Sequence, residues 1–419
     1  MTAPGEALLE LTIERLTYGP DALAHDDGLV VFVPLAAPGD VVRARVRARA
    51  RRYLRAELVD VVRAGAVRTA PPCPAFGRCG GCQWQHVDLA AQRAAKTQVV
   101  VEQLARVGGI PDAPVRPILA ADGLAYRTRI TLVAEARRLG YHRRGSHVLE
   151  EVDACPIATP ALAAHLDAAR EWMARLPAVV ERMTIAEAPG GVAFVAMLGR
   201  APASGDVATT DAFLHAHASV RGVVLRGGGR RTTLGDATVH APVEDDLVLE
   251  APADAFTQIN PAANRLVVAS ALDLGAFPAG AHVLDLYCGI GNFALPLARR
   301  GVAVRGVERD AVAVAAARAN AARLGVAARF DVADVARALG DADGALDGVV
   351  LDPPRGGAAA ALAPLAALRH AASSTSRAIR RRSRATRLVS SPAAGVSSSR
   401  SPSTSSRRRS TSRRWRFSS

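Results

Sequence analysis

From Leu9 to Arg63 the chain alternates short runs of apolar and polar residues, LELTIERL, GLVVFVP, VVRARVRAR and RAELVDVV, with the turn signals YGPD, HDDG and APGD. Apolar residues at every second position predict strands with one buried face, and strands punctuated this closely predict a small all-β barrel. From Ala70 to about Pro252 the pattern is mixed. Periodicity predicts helices near Leu89 to Val107 and Thr159 to Leu176, and strands in ITLVAEA and GVAFVAML. From about Phe256 it becomes strand, Gly-rich turn, helix, strand, helix, strand, which indicates a doubly wound parallel sheet. No internal repeat interrupts this order.

The length of 419 residues suits two or three domains, and 49% hydrophobic residues supply their cores. No apolar run approaches the roughly 20 residues that cross a bilayer, and the start MTAPGEALLELTIERL lacks the order of a signal peptide, so a cytoplasmic protein without membrane contact is expected. Five cysteines are too few for a disulfide scaffold. The net charge of +14 changes meaning once it is located: from Arg369 onward there are 14 Arg, 17 Ser and no acidic residue. With those Arg set aside, basic and acidic residues balance at 39 each. A tail of this composition cannot bury a core. The remaining basic feature is a stripe of Arg43, Arg45, Arg47, Arg49, Arg51, Arg52 and Arg55, several at period two. It suits either an RNA backbone or a solvated strand face.

Cys73, Cys79 and Cys82 form C-x5-C-G-G-C, and Cys155 follows in DACP. Clustered thiolates bind Fe or Zn strongly, and Gly80 and Gly81 allow a tight fold between the sulfurs. Four thiolates complete either a zinc site or a [4Fe-4S] cluster, and spacing leaves both open.

HVLDLYCGIGNFALPLA reads as a buried strand, a turn with Gly289 and Gly291, and a helix. Such a turn lets a ligand approach the carboxyl end of the first strand. Glu308 in GVAVRGVERD, 23 residues after Asp285, ends the next strand, where an acidic side chain grips ribose hydroxyls. Asp334 follows the third strand and can meet the adenine, and Asp352-Pro353-Pro354-Arg355 ends the fourth. The arrangement looks like a class I S-adenosylmethionine site rather than a dinucleotide site. Amino-group methyltransferases usually carry an aromatic residue where Arg355 stands, which favours methylation at carbon. Cys288, inside the glycine turn, reads as packing under the cofactor loop rather than as a nucleophile.

Taken together, CPAFGRCGGCQWQH with a later DACP, YRTRITL, LGYHRRGSH, FTQIN, LDLYCGIGNFALPLA, VERD and DPPRGG stand in the order seen in bacterial TRAM-domain RNA uracil-5-methyltransferases. The resemblance runs from about residue 9 to 368. It implies that the barrel is an RNA-binding TRAM domain and that Cys73, Cys79, Cys82 and Cys155 hold a [4Fe-4S] cluster. It also implies that Gln258, Tyr287, Asn292, Glu308, Asp334 and Asp352 bind S-adenosyl-L-methionine. The four-cysteine set resembles the ribosomal-RNA enzymes more than the transfer-RNA ones, so rRNA is the expected partner of an expected monomer.

Family members attack C6 of uracil with a cysteine, methylate C5 and remove its proton with a glutamate. That cysteine lies in a Ser-Cys-Asn/Asp-Pro motif about 26 residues beyond the Asp-Pro-Pro-Arg aspartate, a count that reaches Ala378. This chain has no Cys after Cys288 and no acidic residue after Asp352, so neither catalytic group is present. The genetic code offers a cause. If each original codon began one base earlier, the junctions from Thr375 to Arg380 permit Val-Ser-Cys-Asp-Pro. Those continuing to Thr386 permit Ala-Thr-Leu-Ala-Arg-Asp, and Pro402 to Arg408 permits Val-Asp-Leu-Phe-Pro-Gln. A single-base loss near Arg369 or His370 accounts for this series.

The expected fold class is therefore multidomain α/β: an OB-like barrel over 1–66, a central α+β iron-sulfur domain over 67–255 and a truncated Rossmann-like methyltransferase domain over 256–368. Residues 369–419 form an Arg/Ser-rich, out-of-frame disordered tail in this reading, and the fourth strand should lack a neighbour. The expected function is a uracil-C5 methyltransferase lineage that has lost its catalytic residues. The alternative is a non-catalytic RNA-binding protein with a genuine cationic tail.

Overall fold

A computed structural model of the chain describes residues 8–340, 346–354, 356–359, 361–365 and 388–390. The first sheet holds β1 (Leu8–Thr12), β2 (Arg15–Leu16), β3 (Asp21–Asp26), β4 (Leu29–Pro34), β5 (Val41–Arg49) and β6 (Tyr53–Arg63), in the order β1-β5-β6-β4-β3-β2. Along β5, Val42, Ala44 and Val46 are buried while Arg43, Arg45 and Arg47 face out, as a period of two requires. β3 is the strand that the sequence reading lacks, because DALAHD stands between two turn signals and carries charge at both ends. The exit from the barrel is knotted by Asp40, fully buried. Its carboxylate accepts from the amides of Ala37 (2.6 Å) and Gly65 (2.8 Å) and from Arg68.

α1 (Leu89–Arg106), N-capped by Asp88, leads to a seven-stranded sheet. That sheet contains β7 (Arg129–Glu135), β8 (Arg138–His142) and β9 (Leu149–Glu151), then β10 (Val180–Ala188), β11 (Gly191–Leu198), β12 (Val220–Gly227) and β13 (Arg230–Gly235). Its helices are α2 (Pro160–Ala163), α3 (Leu166–Arg175) and α4 (Ser204–Ala216). The helix expected over Thr159 to Leu176 is broken at Ala164 and His165, where the His165 Nδ1 lies 2.6 Å from the Ala161 carbonyl. Trp172, Phe194 and Phe213 fill the core on one face of the sheet. On the other face Ala186, Ala193, Val195 and Val224 pack against the hairpin of β14 (Thr238–Glu244) and β15 (Leu247–Pro252).

α5 (Pro261–Gly275) precedes a sheet of order β18-β17-β16-β19-β20. Its members are β16 (His282–Leu286), β17 (Ala303–Glu308), β18 (Ala328–Val332), β19 (Gly348–Leu351) and β20 (Leu388–Ser390), all parallel. α6 (Ala294–Arg299), α7 (Ala311–Leu324) and α8 (Val335–Gly340) connect them. β16 and β19 are buried almost throughout, the mark of a parallel sheet covered on both faces. One expectation is corrected here: β19 has a neighbour, since Val349, Val350 and Leu351 pair with Leu388, Val389 and Ser390. A short apolar run inside the tail suffices to satisfy the strand's open backbone edge. The remainder of the expected disordered tail, including Ala378, lies outside the described residues, as does Arg355.

Candidate functional site

The register of the parallel sheet builds one acidic edge. Asp285 aligns with Gly306 on β17 and Val350 on β19, so Asp285, Glu308 and Asp352 gather at the carboxyl ends of three adjacent strands. Complete burial pushes the Asp285 carboxyl up to about 8. The nearby Ala294 amide opposes the shift without closing a hydrogen bond to either oxygen, and the charges of Asp352 and Glu308 add to it. Burial also raises Asp352, to about 6. Glu308 turns one carboxylate oxygen onto the amides of Arg309 (2.6 Å) and Asp310 (3.0 Å) at the start of α7. The charges of Glu308 and Asp352, both partly exposed, repel that of the buried Asp285, and a bound cation relieves them.

The turn above this edge is conformationally demanding. Tyr287 stands at φ 63° and Gly291 at φ 96°, both in the left-handed region, and a Cβ on Gly291 would lie 2.6 Å from Leu295. Gly289 has open space where a Cβ would project, so a ligand can approach the backbone there. Tyr287 lies close enough to Asp334 and Glu308 that, after burial, their charges raise its hydroxyl's pKa further. Asp334 accepts from the Ala336 amide (2.9 Å) at the start of α8. The structure thus brings Tyr287, Glu308, Asp334 and Asp352 to one edge. Gln258 lies in the segment just before α5, which begins at Pro261 and carries Asn264. Asn292 exchanges two amide hydrogen bonds with Asn264, of 2.8 and 3.0 Å, and so ties the glycine turn to α5. Asp285 and Asn264 are the residues that sequence reasoning missed. Asp285 was visible as the acid closing the first strand, whereas nothing local in the sequence marks Asn264.

Cys288 is 2% exposed and its thiol is pushed far up by burial and then by Asp285, so it stays protonated. It packs beneath the turn, where a Cβ on Gly306 would meet its sulfur at 2.9 Å. A concavity of about 940 Å³ lies at the opposite ends of these strands, beside His282, Arg305 and Arg329. It shares no residue with the acidic edge, and parallel sheets bind ligands at their carboxyl ends.

The cysteine loop docks on the end of β8. The Gly80 amide donates to the His142 carbonyl (2.9 Å), and a Cβ on Gly80 would lie 2.9 Å from that oxygen, so the close approach requires glycine. Cys79 forms a bridge with Arg143, and the Gly81 amide donates to the Cys79 sulfur at 3.4 Å. Burial raises the Cys79 thiol to about 11, opposed by Gly81 and increased by Cys82, Cys155 and Cys73. All four half-buried thiols therefore lie within electrostatic reach of one another. Among the described residues no three His, Cys, Asp or Glu side chains stand at distances that hold a single metal ion. The Arg127 guanidinium faces the same thiols and lowers Cys82, and as a donor set four soft thiols suit iron or zinc.

On the barrel, the Arg stripe is partly neutralised. Arg43 pairs with Asp60, Arg47 with Glu57 and Arg55 with Asp21, whereas Arg45, Arg49, Arg51 and Arg52 make no ion pair among the described residues. Four guanidinium groups remain available to an anionic partner.

Two family models match the chain: TRAM domain over residues 7–59 and Methyltransferase domain over residues 283–360. A protein of Acidithiobacillus ferrooxidans named 23S rRNA (uracil(1939)-C(5))-methyltransferase RlmD is 34% identical, with 83% of each chain covered. One of the same name from Halomonas elongata is 36% identical over 86% of this chain and 78% of its own. The crystal structure of Pyrococcus abyssi tRNA (uracil-54, C5)-methyltransferase in complex with S-adenosyl-L-homocysteine superposes with a TM-score of 0.63 at 21% identity, covering 83% of this chain and 84% of that one.

Proposed function

The chain belongs to the family of 23S rRNA uracil-C5-methyltransferases, and we propose that it binds S-adenosylmethionine and RNA but does not itself complete methyl transfer to uracil. The observation that carries the reading is the acidic strand edge beneath a left-handed Tyr287 and an open Gly289. A sulfonium with an ammonium group is the kind of cation that relieves such an edge. Tyr287, Glu308, Asp334 and Asp352 take the cofactor, Gln258 reaches it from the segment before α5, and Asn292 acts by holding the turn.

C5 of uracil is a weak nucleophile until a thiolate adds at C6. The only cysteine beside the cofactor edge is Cys288, buried and protonated. With no cysteine or acid after Asp352, C6 is not attacked and the C5 proton has no glutamate to leave to. The frame of the codons after Arg369 supports the loss as the result of one missing base. Cys73, Cys79, Cys82 and Cys155 hold a [4Fe-4S] cluster in this reading, supported by the C-x5-C-G-G-C spacing with the later Cys155 and by the electrostatic reach of the thiols on one another. The unpaired barrel arginines support RNA as the partner, and the relatives' names favour ribosomal RNA.

The test is calorimetric titration with S-adenosylhomocysteine, followed by incubation with radiolabelled S-adenosylmethionine and ribosomal RNA. Binding without 5-methyluridine is the expected result. Formation of 5-methyluridine by the purified chain would falsify the catalytic loss, and absence of cofactor binding would remove the site. Restoring one base near codon 369 should recover activity.

A further inference from the structure

One group of charges on the central sheet is left unbalanced. Asp254, with a side chain 2% exposed, accepts from Arg231 through two hydrogen bonds of 2.9 Å and has Arg226 at 3.6 Å. Arg226 and Arg231 face each other across the β12 and β13 pair, on a strand and hairpin open to solvent. Arg129, on β7, lies within reach of the same carboxylate's charge. Its Nε and one terminal nitrogen are sealed from water, yet neither has a hydrogen-bond partner. Two guanidinium groups thus contact one carboxylate whose charge a third, Arg129, feels at longer range, leaving positive charge in excess and two buried Arg129 donors unused. Unpaired buried donors are costly, and the cost is offset when an anion brings acceptor oxygens.

The place matters as much as the charge. The Thr128 amide and hydroxyl both donate to the Ile259 carbonyl, at 2.9 and 3.3 Å, so the strand that carries Arg129 is pinned to the segment holding Gln258. Asp254 itself lies four residues before Gln258. An anion held here sits beside the cofactor-binding segment and not on the distant barrel.

We infer that Arg226 and Arg231, with Asp254 fixing their geometry, bind a backbone phosphate of the RNA strand next to the nucleotide presented to the cofactor. Guanidinium groups match phosphate oxygens in paired hydrogen bonds, and Asp254 holds one edge of Arg231 by two hydrogen bonds but Arg226 only through an ion pair at 3.6 Å. This rests on the RNA-methyltransferase reading above.

The test uses the full chain, a fluorescently labelled single-stranded RNA of about 15 nucleotides with one central uridine, and inorganic phosphate as competitor, with affinities taken over a range of salt. The double variant Arg226→Ala/Arg231→Ala should bind the RNA about tenfold more weakly near 150 mM salt, and its log-affinity against log-salt slope should fall by about one. Its affinity for S-adenosylhomocysteine should be unchanged, which shows that the fold is intact. Arg226→Lys should retain the slope and lose only part of the affinity. Unchanged RNA affinity and slope in a double variant that still binds S-adenosylhomocysteine overturns the site while leaving the RNA reading in place. Loss of a phosphate effect without any change in RNA binding also overturns it, as a site for free phosphate only. If the wild-type chain binds S-adenosylhomocysteine but no RNA, the broader reading fails and this one with it.

Discussion

Loops gather the four cysteines, whereas strand ends gather Asp285, Glu308 and Asp352, and the two regions meet the same electrostatic difficulty by different means. In both, burial and like-charged neighbours raise pKa values: Cys79 to about 11 and Asp285 to about 8. The cysteine loop is shaped by one close backbone approach at Gly80 and by contacts to residues far along the chain. The carboxylates need no such help, because the register of β16, β17 and β19 aligns their last residues. A site made by loops depends on its ligand for its final geometry, while a site made by strand ends exists before the ligand arrives.

The largest effect should therefore follow from breaking the loop site. Cys82→Ser is expected to reduce iron from about four atoms per chain to below one and to lower the melting temperature by several degrees, since binding energy of the cluster is folding energy. Iron and sulfide analysis of anaerobically purified protein checks it. Zinc without iron in the wild-type chain would sink the cluster assignment.

Glycine substitutions sharpen the contrast at the next level. Gly291→Ala combines φ 96° with a 2.6 Å collision against Leu295, and should cost about 1–3 kcal/mol and weaken S-adenosylhomocysteine binding at least tenfold. In the cysteine loop, Gly80→Ala meets backbone at 2.9 Å, but Gly81→Ala meets only the Cys79 sulfur at 3.4 Å. Urea unfolding should rank Gly81→Ala as the mildest of the three. Equal losses at Gly80 and Gly81 would mean that the loop, not the approach to His142, sets the geometry.

The acidic edge makes the third prediction. A carboxyl raised in the folded state keeps its proton where the unfolded chain has lost it, so it stabilises the fold least at high pH. Asp285 should erode stability from about pH 4 to about pH 8, by an amount on the order of a few kcal/mol, and have no further effect above that. Asp285→Asn should flatten this decline, as followed by urea unfolding across the pH range. An unchanged slope would show that Asp285 is not held protonated by burial.

The barrel strands other than β3, the helix α1 and the parallel alternation were legible because each has a period that survives locally. Glu308 and Asp334 were legible because a parallel sheet puts strand ends in one place, so position along the chain is position in the site. Asn292 was placed in the right turn, but its pairing with Asn264 joins an α5 residue to that turn across 28 positions and leaves no local trace. The same holds for Asp254 with Arg226 and Arg231: each looks like a surface charge until the hairpin brings them together. The neighbour found for β19 in Leu388–Ser390 was hidden for a further reason, since two apolar residues, Leu388 and Val389, in an Arg/Ser-rich stretch carry no periodic signal.

The smallest effect belongs to Asp352, raised by burial to about 6. Its share of the decline runs from about pH 4 to about pH 6, where Asp285 declines as well, so the two carboxyls together contribute about twice the slope that Asp285 alone contributes above pH 6. His86, whose pKa is lowered by burial, contributes with the opposite sign below about pH 6.5. Because His86 is common to both chains, the difference between wild type and Asp352→Asn isolates the carboxyl. That difference should grow from about pH 4 to about pH 6 and then stay level, while the decline due to Asp285 continues to about pH 8 in both proteins. Cofactor binding should show the reverse trend, because a cation prefers the ionised edge. The wild type should bind S-adenosylmethionine, which carries the sulfonium, more tightly as pH rises through 6, and Asp352→Asn should lose that step. If the two proteins keep parallel stability curves and parallel binding curves, the carboxylates at the strand ends titrate independently of the cofactor, and they do not share one electrostatic edge.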